Sequence, residues 1–195
     1  MRKKVILVHG WEGNPENCWF PWLKKNLEER NFDVVVPAMP NSEEPAIESW
    51  IGKLKEVSGE VNENTFFIGH SIGCQTIMRF LERLDNNAKV GGIIFVAPWF
   101  NLPNLETDEE KEIAKPWLET LINTNKIKQV TKNIVTIFSD DDPDVPMSDS
   151  KLFQERLKAK IVIENKKGHF SDDVGVHELP IVLNELFVMA GMHGD

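Results

Sequence analysis

Six short runs of β-branched and aromatic residues, each bounded by turn formers, most limit how this chain can fold: Val5 to Val8, Val34 to Val36, Phe66 to Ile68, Ile93 to Val96, Ile134 to Phe138 and Ile161 to Ile163. The runs are nearly continuous rather than alternating with polar residues, so each predicted strand buries both faces. Parallel strands covered by helices on two sides have that character. Helical periodicity fills most of the gaps. Trp22, Leu23 and Leu27 stripe a first helix, and Ile47, Trp50, Ile51 and Leu54 a second. Ile77, Met78, Leu81 and Leu84 stripe a third, ended near Asp85-Asn86-Asn87, and a last helix is predicted over Pro180 to Met189 before a frayed tail from Met192 to Asp195.

Alternating strands and helices imply a three-layer α/β/α fold with about six mainly parallel strands and right-handed crossovers. Ligands of such sheets bind beyond the carboxyl ends of the strands, where the strand order reverses. At 195 residues, the chain fits one domain, 1–195, with a core large enough to need neither disulfide nor structural metal. One connection, 98–132, exceeds a plain loop. It reads as a small lid or an extended crossover, with an acidic run from Glu106 to Glu112 and a helix around Pro116 to Ile122.

A Gly-x-Ser-x-Gly motif, Gly69-His70-Ser71-Ile72-Gly73, follows the third predicted strand and opens the third helix. The motif alone arises by chance in roughly one chain in fifteen of this length. Its strand-turn-helix setting makes it specific, because a nucleophilic serine on a sharp turn needs glycines where side chains would crowd the backbone. A serine hydroxyl also needs a base, normally a histidine oriented by a carboxylate. Asp142 and His169 occur in the expected order, after the fifth and sixth strands. Asp141 is the runner-up for the acid, within the run Asp140-Asp141-Asp142-Pro143-Asp144. The oxyanion hole is expected from the amides of Trp11 and Ile72.

The other polar residues read more plainly. His9 and His70 are expected to brace their loops, and His193 falls in the tail. His169, Asp172, Asp173 and His177 match no tight ligand spacing, so no metal and no cofactor is expected. Trp11 and Trp99 each follow a strand end and are candidates for an apolar substrate pocket, while the remaining tryptophans suit the core.

A net charge of −9, with basic residues scattered among acids, argues against nucleic acid as a partner and is read as favouring solubility. Nothing resembles a signal peptide or a membrane span, so a cytoplasmic protein with no membrane partner is expected, as monomer or weak homodimer. Cys18 and Cys74 are expected to be free thiols.

The chain resembles the small serine hydrolases that include retinoblastoma-binding protein 9 and the bacterial YdeN-like proteins. The resemblance covers nearly the whole length. It rests on Val5-Ile6-Leu7-Val8-His9-Gly10-Trp11, Trp22-Leu23-Lys24-Lys25-Asn26-Leu27, Pro37-Ala38-Met39-Pro40, Ile68-Gly69-His70-Ser71, Asp141-Asp142-Pro143 and Gly168-His169-Phe170. It implies a compact α/β-hydrolase fold, a Ser71-Asp142-His169 triad, and cleavage of small esters or amides. The Leu-x-Cys-x-Glu signature for retinoblastoma-type partners is absent. A non-catalytic binding module on the same scaffold, using an apolar surface around Trp99, is the alternative.

Overall fold

The computed structural model describes residues 2–192; residues 193–195, which include His193 and most of the expected tail, lie outside the described residues. The strands are β1 (Lys4–Val8), β2 (Asp33–Val35), β3 (Thr65–His70), β4 (Gly92–Val96), β5 (Ile134–Ser139) and β6 (Lys160–Glu164). They form one sheet in the order β2-β1-β3-β4-β5-β6, every neighbouring pair parallel. The chain steps outward from β1 to β2, then returns to place β3 on the other side of β1. The reversal falls between β1 and β3, and the loops leaving these two strands diverge there to open a crevice.

The helices are α1 (Phe20–Glu28), α2 (Ile47–Ser58), α3 (Ile72–Glu82), α4 (Asp108–Glu119), α5 (Thr124–Val130), α6 (Ser148–Leu157) and α7 (Pro180–Met189). Right-handed crossovers put α2, α3, α5 and α6 side by side on one face, and α1 and α7 on the other, where Phe32 stacks on Phe187. Continuous apolar strands are what this sandwich needs. β1, β3, β4 and β5 are buried almost throughout. β6 departs from that expectation: it is the sheet edge, and Ile163 is 56% exposed. Among the described residues no helix is long and apolar enough to cross a membrane.

Segment 98–132 carries the β4 to β5 crossover in two helices. The first starts earlier than its proline suggests. Thr107 and Glu110 form a reciprocal capping box, and three acids in the first turn favour the positive end of the helix dipole, so α4 begins at Asp108 and holds Pro116 within it. Its far end is pinned. Buried Arg79 on α3 donates through Nη2 to the carbonyls of Trp117 and Thr120, at 2.7 and 2.9 Å.

Candidate active site

Ser71 joins β3 to α3 with φ 53° and ψ −122°, a conformation costing a non-glycine residue about 1–3 kcal/mol. The turn is over-determined by its surroundings. The Ser71 amide donates to the Val96 carbonyl at 2.9 Å, and the Cys74 amide donates to the Ser71 carbonyl at 2.9 Å. Gly69 and Gly73 allow the tight approach. A Cβ on Gly69 would lie 2.8 Å from the Cys74 nitrogen, and one on Gly73 would collide with the Val8 and His9 carbonyl oxygens. The turn therefore lifts Ser71 out of the sheet, at the head of α3, where free amides and the helix dipole favour negative charge.

The acid turn after β5 is laced to the loop after β6, residue against residue. Asp140 accepts from the Lys166 amide at 2.8 Å, the Ser139 hydroxyl from the Lys167 amide at 2.9 Å, and Asp141 from the Gly168 amide at 2.8 Å. The next residue, His169, presents Nδ1 to the Asp142 carboxylate at 3.1 and 3.0 Å. Asp141 is occupied elsewhere: the Ser139 hydroxyl and then the Gly168 amide hold its carboxyl below the usual range. Asp142 is nearly buried, its side chain 3% exposed, and its Oδ1 also accepts the amides of Asp144 and Val145. A carboxylate fixed in this way favours the imidazole tautomer with the proton on Nδ1, which leaves Nε2 as the ring's acceptor.

Ser71 and His169 line one cavity of about 540 Å³, together with Trp11 and Phe20. The loop after β1 passes beside the serine, since a Cβ on Gly10 would lie 3.4 Å from Ser71 Cβ. The amides of Trp11 and Ile72 have no backbone acceptor among the described residues. His9 and His70 brace these loops as neutral rings. His9 donates from Nδ1 to the Gly10 carbonyl and accepts the Met39 amide on Nε2, at 2.8 and 3.0 Å. His70 donates from Nε2 to the His169 carbonyl at 2.8 Å. Burial, and then the neighbouring His169, push His70 down to about 3, while burial lowers His9 against the pull of its Gly10 bond.

Trp99 is not where the sequence puts it. The chain turns sharply at Ala97, φ 46°, and sends Trp99 into the core at 1% exposure, with its carbonyl taking the Gln75 amide at 2.7 Å. It neither lines the cavity nor offers an exposed partner surface. Leu102 and Leu105, further along the same segment, form that wall instead. No sequence signal distinguishes them, because buried Asp149 on α6 sets their position by holding the amides of Phe100 and Asn101.

Two further groups border the cavity. Asp144 places Oδ2 3.7 Å from His169 Nδ1, so it, Asp142 and His169 offer ligand atoms within 4.8 Å of one another. Asp172, read from sequence as part of a loose cluster, accepts the Cys18 amide and pairs with His177 at 3.0 Å. Both cysteines are free, as expected. Burial, and then the charge of Asp172, push the Cys18 thiol up to about 11, so it stands at the cavity as a neutral thiol rather than a rival nucleophile.

A doubly wound parallel sheet with a strained serine turn at its switch point defines the α/β-hydrolase class. The comparisons with known proteins agree and go one step further. A family model described as serine hydrolase matches residues 5–187, and the chain belongs to that family. It is 35% identical over 187 residues, 95% of either chain, to YdeN of Bacillus subtilis (strain 168), a protein named as a hydrolase. It is 27% identical over 190 residues, 96% of this chain and 97% of the other, to the serine hydrolase RBBP9 of Rattus norvegicus. The crystal structure of the B. subtilis ydeN gene product superposes with a TM-score of 0.89 at 34% identity, covering 97% of this chain and 99% of that one. Est1E from Butyrivibrio proteoclasticus, solved with ferulic acid bound, shares the fold at a TM-score of 0.73 and 16% identity, over 96% and 88% of the two chains.

Proposed function

We propose that the protein hydrolyses small esters or amides through an acyl-enzyme on Ser71. Ser71 Oγ attacks the carbonyl carbon while His169 Nε2 takes its proton. Negative charge gathers on the carbonyl oxygen, where the Trp11 and Ile72 amides stabilise it. The carbon–leaving-group bond then breaks, and His169 returns the proton to the departing alkoxide or amine. Water adds to the acyl-enzyme by the same route in reverse, releasing the acid and restoring Ser71. Asp142 keeps the imidazole in the required tautomer and offsets the charge on the imidazolium.

One observation carries this reading: His169 is held through Nδ1 by a buried carboxylate and shares a cavity with a serine whose backbone is strained into an elbow. The residues of that cavity come from loops that are distant in sequence, and strain concentrated there is characteristic of functional sites. Ser71→Ala should abolish labelling by a fluorophosphonate probe and reduce p-nitrophenyl acetate hydrolysis by up to about a millionfold, to the limit of detection. Full labelling of the folded variant would place the nucleophile elsewhere.

A further inference from the structure

Nine of the 31 acids of this chain gather at one place on its surface. Glu12, Glu106, Glu110, Asp144, Asp172 and Asp173 line the cavity that holds Ser71 and His169, with no Lys or Arg among the lining residues. An adjoining cavity shares Trp11, Glu12, Gly13 and Glu110 and adds Glu43, Glu44 and Glu109, again with no basic residue. These are nine carboxylates in one continuous depression. Removing nine from the 31 Asp and Glu leaves 22, which equals the number of Lys and Arg, so the rest of the chain is balanced. Six of these carboxylates stand on the walls of the Ser71 cavity itself and three on the adjoining one, so the acids of the two cavities together match in number the formal charge of −9.

The usual structural employment of carboxylates accounts for only part of the set. Glu110 closes the α4 capping box, Asp172 holds the Cys18 amide and pairs with His177, and Asp144 lies beside His169. Glu12, Glu106 and Asp173 have no hydrogen bond or ion pair to their side chains among the described residues, although the chain forms Lys or Arg ion pairs elsewhere, as between Arg83 and Glu48. A concave wall of one sign focuses its field on whatever enters. Like charges crowded around a cavity repel one another until a counter-charge arrives, and no side chain of the wall supplies it.

The cavity also has an apolar side. Trp11, Phe20, Leu102 and Leu105 offer surface for hydrocarbon, and an indole face adds attraction for a cation. We propose that the substrate of this hydrolase carries a positively charged nitrogen, held by the carboxylates that ring the Ser71 cavity, beside an apolar acyl or leaving group. The inference rests on Ser71 being the nucleophile. The cavity is a site on that ground, and the carboxylates define what it accepts.

Three p-nitrophenyl esters of similar size test it: the neutral butyrate, the 4-(trimethylammonio)butyrate, and the monoester of succinic acid. Their charges do not change through the neutral pH range, so differences in kcat/KM report the field of the site. At low ionic strength the cationic ester should exceed the anionic one by about tenfold or more, with the neutral ester between them. Added salt near 1 M, where the screening length falls to about 3 Å, should bring the ratio to within about twofold. The Glu12→Gln, Glu106→Gln, Asp173→Asn triple variant should lower the ratio several-fold at low salt, with fluorophosphonate labelling as the check that the site is assembled. Equal rates for the three esters, or a preference for the anion, in a wild-type protein that the probe labels would overturn the cationic substrate and leave the hydrolase reading standing. Failure of the wild-type protein to label would overturn both.

Discussion

His70 should make this protein acid-labile, by an amount the structure sets. Its ring is buried and neutral, donating to the His169 carbonyl, with its protonation pushed down to about 3 from the ordinary 6.5. The folded chain therefore refuses a proton that the unfolded chain accepts throughout the interval between these values. A depressed folded value means that the contribution is complete above about pH 6.5, is lost as pH falls from there, and loses nothing more below about pH 3. Across the upper part of that window each pH unit removes about 1.4 kcal/mol, so moving from about pH 7.5 to about pH 5 lowers stability by about 2 kcal/mol through this residue alone. For a domain with about 5–15 kcal/mol in hand, that is a measurable share. His9, also held below its ordinary value, adds to the loss in the same direction. The perturbation is His70→Gln, which retains an N–H donor for the His169 carbonyl and removes the titration. Urea unfolding followed by tryptophan fluorescence at the two pH values gives four free energies. The wild type should lose about 2 kcal/mol more than the variant over the same pH change. This comparison of slopes does not depend on what the substitution costs at neutral pH. Equal losses in the two proteins would refute the assignment of His70 as a buried neutral ring.

Two further tests probe the site. Asp142→Asn should lower kcat by about four orders of magnitude, as loss of the orienting carboxylate does in serine hydrolases generally, with Asp144→Asn costing far less because its carboxylate is 54% exposed and 3.7 Å from His169; a deeper loss in Asp144→Asn, measured with p-nitrophenyl acetate, would reverse the assignment. Gly73→Ala should destabilise the fold by about 1–3 kcal/mol or more in urea titration, since its methyl collides with the backbone carbonyls of Val8 and His9, and a stability equal to wild type would contradict the packing of the elbow against β1.

Much of this molecule was legible along the chain. The apolar runs name the strands, most plainly β1, β3, β4 and β5, because a strand covered on both faces has little room for a polar side chain, and the α7 boundaries follow from its proline start. Gly69 to Gly73 is legible because a serine at positive φ needs glycine neighbours that let α3 close against β1. The reading failed where the deciding contact lies far off. The α4 start at Asp108 lies before the expected helix around Pro116 because the acidic run from Glu106 to Glu112 supplies its cap and first turn. Trp99 was misplaced because position after a strand end does not reveal a chain reversal at Ala97 or an anchor at Asp149, which is 48 positions beyond Asn101.

The sequence by itself determined the parallel α/β framework and the residue types of a serine site in their order, because both depend on local pattern: periodicity, turn chemistry and crowding within a few residues. Only the tertiary structure distinguishes the aspartates. Four of them share one turn, and what separates them is their pairing with the loop after β6, where Asp140 meets Lys166, Asp141 meets Gly168, and Asp142 meets the ring of His169 at 3.0 Å, closer than the 3.7 Å of Asp144. It also gives part of the charge a location. A total of −9 carries no location, and the gathering of acids beside Ser71 comes from segments that follow β1, β2, β4, β5 and β6 and meet only because parallel strands deliver their carboxyl ends to the same edge of one sheet.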